Sequence, residues 1–312
     1  MSAILTATFL IGVLTAMLRI ATPLLFGTLG ELFNERAGIL NLGIEGIMTL
    51  GAMSAFVTAR ATGSLMLGLA AAVMTGILAG LLMGVLTVSL GLSQHVSGIG
   101  LTFAASGLSY FIYRLAVGTP PVPPTIEPFR AVSIPLLSRI PVLGDVVFRQ
   151  YGLVYLALLL VPAVHWLMYR TSFGLRIRTC GENPHAADSL GVAVHRTRYA
   201  SLAIGGALMG LGGAFLSTVQ VNMFIFGMVA GRGWVCIALV VFGNWKPARI
   251  LVGALIFGLI DAFQLRLQQM GLQIPYQLFL MLPYLVTVVV LVLAARKATY
   301  PAALLKPYSR GE

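Results

Sequence analysis

Charge is scarce in this sequence. Of 312 residues only 9% are Asp, Glu, Lys or Arg, against about 25% in an ordinary soluble chain. Acids are scarcest, nine in all against twenty Lys and Arg. Cysteine occurs twice, as Cys180 and Cys236, with no CxxC pair and no Cys/His cluster. That argues against a disulfide scaffold or a zinc site. No GxxxxGK[ST] phosphate loop, HExxH, GxSxG or strand-linked GxGxxG occurs either. The chain therefore has no visible means of hydrolysing ATP itself, and no catalytic or metal residue is assigned. A basic n-region is missing at the N-terminus. A cleaved signal peptide is not expected, and residues 3–18 are expected to stay as a first membrane helix.

Apolar residues fill the space that charge leaves. They make up 58% of the chain, and mean hydropathy is +0.95. A soluble domain of this size cannot hide that much apolar surface. The apolar stretches are long and do not alternate at period two, so helices are expected to span the membrane and a barrel is not. From residue 61 to residue 113 there is no Lys, Arg, Asp or Glu, a run of 53 residues. It accommodates two crossings of about 20 residues, with Gly91-Leu-Ser-Gln-His95 as the break.

The expected fold is an all-α integral membrane protein of about ten transmembrane helices in a single domain over residues 1–312. Candidate spans are 3–18, 20–34, 39–59, 65–90, 97–117, 152–168, 199–221, 227–243, 250–263 and 276–295. Spans 20–34, 227–243 and 250–263 are short or interrupted, as broken or re-entrant helices are. Gly76, Gly80 and Gly84 share one helix face, and Gly206 and Gly210 repeat the spacing. Small residues so spaced let helix backbones approach closely.

The net charge of +11 sits mostly between apolar spans. It reads as a topology signal rather than a nucleic-acid footprint. Loop 118–151 holds seven prolines, Arg130, Arg139 and Arg149. Loop 169–198 holds Arg170, Arg176, Arg178, Arg196 and Arg198. One span separates them, so they face opposite sides. The positive-inside rule puts the richer loop, 169–198, in the cytoplasm and 118–151 outside. With ten spans both termini are expected inside, the tail carrying Arg296, Lys297, Lys306 and Arg310.

Three stretches stand out. Residues 30–46 place Glu31, Glu35, Arg36 and Glu45 at or inside a membrane boundary, among Gly38, Gly43 and Gly46. Intramembrane charge costs several kcal/mol and needs a partner or a water-lined cavity. These residues fit a pathway wall, or an internal ion pair or cap that fixes a helix break. Residues 172–192 place Asn183 before Pro184, a helix entry, with a short helix over Ala186–Leu190 ended at Gly191. This is a docking element or a solvated topogenic loop. Residues 231–247 again punctuate an apolar run with glycines near Arg232. Together with the segment around Gly43–Gly51 they suggest corresponding broken segments in two halves, a possible pseudo-repeat around a central site.

The segment "GELFNERAGILNLGIEGIMTLGA" resembles the signature of permease subunits of ATP-binding-cassette importers, in the nucleoside and simple-sugar branch of the branched-chain amino acid/ribose permease superfamily. "FGLRIRTCGENPHAADSLGV" is similar to that family's coupling loop, and residues 231 onward resemble its C-terminal half. The resemblance implies one half of a two-permease channel in the bacterial cytoplasmic membrane, as a homodimer or with a related second chain. It also implies tandem ATPase domains on a cytoplasmic partner chain, which hold ATP and Mg, and an extracytoplasmic substrate-binding lipoprotein. No cofactor is implied in this chain.

Carried over, Gly181, Glu182, Asn183 and Pro184 match the coupling motif and are expected to face the ATPase, with Ala187 and Asp188 completing the coupling helix. Asn41, Gly43, Glu45 and Gly46 match the motif that lines the path, and Gly231 and Gly233 of the later broken segment are also expected on it. Gln94 and His95 form a polar break near it, His95 departing from the usual Asn-Gln-Val. The solute expected is a nucleoside or a related small polar molecule, with simple sugars as the alternative and branched amino acids more distant. Two rivals remain at this point. One is an ion-coupled secondary transporter using Glu45 or Asp261, and the other is a membrane-embedded enzyme.

Overall fold

The computed structural model describes residues 7–135, 137–269, 298–309 and six positions between 277 and 292. The expected span 276–295 lies largely outside the described residues. In chain order the elements are α1 (Ala7–Arg36), α2 (Ile44–Thr62), α3 (Leu65–Gly84) and α4 (Gln94–Val117). The loop after α4 holds β1 (Ala131–Ser133), α5 (Leu143–Val147) and β2 (Arg149–Tyr151). Then follow α6 (Gly152–Arg170), α7 (Ser172–Glu182), α8 (Pro184–Ser189), α9 (Val194–Phe215), α10 (Arg232–Phe242) and α11 (Pro247–Gln269). β1 and β2 pair antiparallel, Val132 opposite Gln150.

Among the described residues six helices are long and apolar enough to cross a membrane: Phe9–Arg36, Leu65–Ser89, Gln94–Val117, Gly152–Arg170, Val194–Gln220 and Pro247–Gln268. α10 is a shorter apolar helix of 11 residues. The protein is thus a multi-pass helical membrane protein.

Two expected spans prove to be one. Residues 3–18 and 20–34 were separated at Arg19, but helix α1 runs through Arg19 and Pro23 without a break. Arg19 needs no loop because its guanidinium has company: its Nε donates to Gln150 Oε1 at 3.1 Å, and its charge stacks on the Tyr151 ring at 4.9 Å. Likewise 250–263 is not short; α11 runs over 23 residues. Only 227–243 is interrupted as expected, with α10 beginning at Arg232.

Fusing the first two spans changes the parity of the bundle. Thr15 and Arg19 contact Asp145 and Gln150 of the 118–151 loop. At the other end of α1, Arg36 meets Glu182, the last residue of α7. Ala303 in turn donates to the Gly181 carbonyl. The described start of α1 and the described C-terminal residues therefore sit at opposite ends of the bundle. The expectation that both termini share one side fails for these described ends.

α9 is the central post, packed on α1, α2 and α3. Its glycines make this possible. A methyl on Gly206 would press into the Gly76 carbonyl, and one on Gly210 into that of Ala72. α3 and α9 therefore touch backbone to backbone, the close approach that small residues allow in membranes. Both helices end in a π-helical turn, Val85–Ser89 and Leu216–Gln220.

Candidate functional site

α1 ends at Arg36, and α2 does not begin until Ile44. The seven residues between them leave the helix, five of them buried and Leu40 and Leu42 partly so, a cost tolerated in a membrane only where protein supplies partners. The partners are specific. Fully buried Glu31 accepts the Asn41 N–H at 2.8 Å and the Asn34 amide at 2.9 Å. Asn41 Oδ1 accepts the Gly43 N–H at 3.0 Å. From α4, Gln94 Oε1 accepts the Leu40 N–H at 2.8 Å, and Thr102 donates to the Leu42 carbonyl at 2.9 Å. From α9, buried Arg198 donates to the Ala37 carbonyl at 3.2 Å. Glu31 is a cap that holds the break, the structural alternative of the two readings above.

A second break meets the first. The chain leaves the helix at Val221, and Gly231, whose φ of 80° is left-handed, immediately precedes α10. Here both carboxylate oxygens of Glu45 are used: one accepts the Gly231 N–H and the other the Gly233 N–H, each at 2.8 Å. Glu45 also lies in the first turn of α2. One carboxylate thus serves the positive ends of two helices, α2 and α10, each equivalent to roughly half a charge. Arg232 extends the cluster to Asp261 of α11 at 3.9 Å. Glu45, Arg232 and Asp261 are each half-buried. Among the described residues no group of His, Cys, Asp or Glu could hold a metal ion.

The expected path residues divide by exposure. Glu45 and Gly231 are half-buried and His95 is exposed. Asn41, Gly43, Gly46, Gln94 and Gly233 are buried. Gly46 is where α2 crosses α4; a methyl there would press on the Thr102 backbone at 2.6 Å. Gly233 lies as close to the Glu45 backbone. These buried residues shape the break, while Glu45 alone of the acids in the signature combines partial exposure with the junction of both breaks.

The segment expected to couple folds as its residues prescribe. Thr171 caps α7 through the Gly174 N–H, and Asn183 caps α8 through the Ala186 N–H at 3.0 Å, with Pro184 in the first turn. Gly191, with φ of 82°, follows α8. Glu182 and Asn183 are exposed and Asp188 is half-buried, but Gly181, Pro184 and Ala187 are buried. A methyl on Gly181 would collide with the Arg36 carbonyl. Gly181 and Pro184, expected to face the ATPase with the rest of the motif, are instead buried in this chain, and Gly181 seats α7 on α1 and the tail. The outward surface is a groove of about 360 Å³ between α7 and α8, lined by Leu175, Arg176, Thr179, Glu182, Asn183 and Leu190 among others. Leu190 is 84% exposed.

Sequence reasoning did not find Trp245 or the tail. Trp245 is fully buried, and its indole N–H donates to Glu35 Oε2 at 2.7 Å. The tail, residues 298–309, packs its Tyr308 ring against His185 at 5.0 Å and His195 at 5.6 Å. A tryptophan amid a polar Asn-Trp-Lys-Pro turn was the only available signal for the first.

Residues 13–291 match a family described as "Branched-chain amino acid transport system / permease component". The chain is 38% identical to the putative glucose ABC transporter permease protein TsgC13 of Haloferax volcanii, covering 97% of this chain and 98% of that one. It is 36% identical to the nucleoside ABC transporter permease protein NupC of Lactococcus lactis subsp. cremoris, over 92% and 93%. To the guanosine ABC transporter permease protein NupQ of Bacillus subtilis it is 34% identical, over 96% and 97%. No solved structure matches.

Proposed function

This chain belongs to the branched-chain amino acid transport permease family, and from that premise we propose that it forms half of the translocation path of an ATP-binding-cassette importer. The solute is a nucleoside or a related neutral, hydroxyl-rich molecule. The nucleoside and guanosine permeases to which it is similar over most of its length support this reading. The chain works with a second permease copy or related chain, an ATPase carrying ATP and Mg, and an extracytoplasmic receptor, in the cytoplasmic membrane. It contributes no catalytic group and no cofactor site.

The observation that carries the reading is Glu45 joining the N-termini of α2 and α10 at two facing breaks. Unwound backbone and half-helix ends inside a bundle are where transporters contact their solutes. Balanced by two helix ends and Arg232, this carboxylate presents polar contacts with little net field. That suits a neutral polyol, which must be released as readily as it is admitted. We take the segments that open α2 and α10 as corresponding broken segments of two pseudo-repeats.

The α7–α8 side is assigned to the cytoplasm, because its loop is the richer in arginine. The start of α1 then faces outside, and the tail faces inside. ATP binding moves the ATPases, α7 and α8 follow, and the two nucleotide states favour inward and outward forms by different amounts.

A second reading, hexose transport, is favoured by the 38% identity to the putative glucose permease. One experiment separates the two. The chain is purified with its co-assembling ATPase, permease and receptor, reconstituted in liposomes, and offered labelled guanosine, uridine and glucose. ATP-dependent uptake of a nucleoside, competed by other nucleosides and not by glucose, is the expected result. Uptake of glucose alone selects the sugar reading. Uptake that ignores ATP and collapses with an ion gradient overturns both and makes Glu45 or Asp261 a coupling-ion site.

A further inference from the structure

The tail ties the cytoplasmic coupling helices to the half-helix that holds Glu45. Three attachments define it. At its start, Thr299 donates from both N–H and hydroxyl to Asn244 Oδ1, each at 3.0 Å. Tyr300 packs its ring edge-on against Trp245 at 4.9 Å. In its middle, the Ala303 N–H donates to the Gly181 carbonyl at 2.8 Å, and the Ala302 N–H to Glu182 Oε2 at 3.3 Å. At its end, Tyr308 is buried among His185 of α8 and His195 of α9, with the Arg198 guanidinium 6.0 Å from its ring. The same chain of contacts continues inward. Asn244 and Trp245 follow directly on α10, and Trp245 is held by Glu35 from α1 and by the Tyr169 hydroxyl from α6 at 3.1 Å.

Backbone geometry marks where this assembly can give. Asn244 and Trp245 both have positive φ, 48° and 54°. Asparagine tolerates that region, but tryptophan in it is an outlier that persists only where its surroundings over-determine it. Those surroundings are Glu35, Tyr169 and the tail. The strained turn closes one end of α10, and Glu45 binds the other end through Gly231 and Gly233. α10 has only 11 residues, about 16 Å at 1.5 Å per residue. A displacement of the turn is thus delivered to the Glu45 junction by one short rigid rod.

We propose that residues 298–309 are the mechanical link by which movement of α7 and α8 reaches the solute path, with Tyr308 and Trp245 as positioning residues. This rests on the importer reading above. When α7 and α8 shift, the two tail amides held by α7 and Tyr308 packed on α8 shift with them, Tyr300 and Thr299 pull on the 244–245 turn, and α10 changes its grip on Glu45. A link of this kind couples two sites because both bias one element with two arrangements.

The test uses the full complex in liposomes. Tyr308→Ala removes the anchor, Ala303→Pro removes the hydrogen bond to Gly181, and Tyr308→Phe keeps the ring. Both disrupting variants should keep ATP hydrolysis while uptake per ATP falls by about tenfold or more, the usual size of an allosteric coupling. Tyr308→Phe should restore the ratio. Unchanged uptake per ATP in Tyr308→Ala and Ala303→Pro overturns the link. Absence of ATP-driven uptake in the wild-type complex instead overturns the importer reading itself. If a variant does not assemble, hydrogen exchange on the wild-type complex decides. The amides of Ala302, Ala303, Gly231 and Gly233 should change protection together on ATP binding, and a change at the first two without the last two overturns the proposal.

Discussion

Glu45 accepts the backbone N–H of Gly233 at 2.8 Å across 188 positions of sequence. That single bond, with its companion to Gly231, joins the first broken segment to the last. It explains how an acid persists in so apolar a bundle: its charge is met by the N-terminal ends of two helices.

Replacing Glu45 should therefore affect stability and transport together. Glu45→Ala leaves two amides without an acceptor, at about 1–3 kcal/mol each when buried. Glu45→Gln keeps one acceptor oxygen and loses the charge. The expected order of thermal midpoints in detergent is wild type, then Gln, then Ala, with uptake following the same order. Equal midpoints for all three would show that the carboxylate does not hold the junction.

The tight contact of α3 with α9 gives a prediction of opposite signs for one chemical change. Gly76 meets the Gly206 carbonyl, whereas Gly107 on α4 has open space where a methyl would go. Gly76→Ala must push the two backbones apart and should lower the yield of monodisperse protein sharply. Gly107→Ala should be neutral or stabilising by about 0.5–1 kcal/mol, because alanine is the better helix former. Size-exclusion profiles and thermal scans of the two variants check this.

Much of this was legible from residue type alone. Asn183-Pro184 and Gly191 mark the ends of α8 because capping and left-handed exit are local chemistry. The glycines of the first signature mark a helix break because no spanning helix needs so many. The fusion of the first two spans was not legible, since Arg19 reads as a loop charge until Gln150 and Tyr151, more than a hundred residues later, are seen beside it. Glu31 as a cap, and Trp245 as its neighbour's partner, are equally long-range facts. The pattern of exposure on α8 also escaped, because a motif shared by a family contains residues that seat the helix as well as residues that face outward.

Glu182 tests coupling separately from stability. Its side chain is half exposed, and Arg36 lies 3.8 Å away. Such a pair contributes about 0–1 kcal/mol. Glu182→Gln should therefore leave the thermal midpoint nearly unchanged while lowering uptake per ATP. Leu190→Asp, on the exposed rim of the α7–α8 groove, should weaken co-purification of the ATPase without unfolding the chain. Normal ligand-stimulated hydrolysis and uptake in both variants would remove this surface from the docking role.

Cys180 offers a reporter of the tail. The thiol is fully buried beside Ala187, Val194 and Tyr308. Burial pushes it above the ordinary thiol value, outweighing the Thr197 hydroxyl and the Arg198 charge that pull it down. Near neutral pH it is therefore held as the unreactive thiol, since only the thiolate attacks. In a Cys236→Ala background, labelling of native membranes by N-ethylmaleimide should be slow, should accelerate as pH rises, and should go to completion in denaturant. Ala303→Pro detaches the tail segment that leads to Tyr308 from Gly181, so it should speed native labelling at fixed pH. A native rate already equal to the denatured one would mean the thiol is not enclosed. A rate unaltered by Ala303→Pro would mean that the tail does not enclose it, and that the cover comes from α8 and α9.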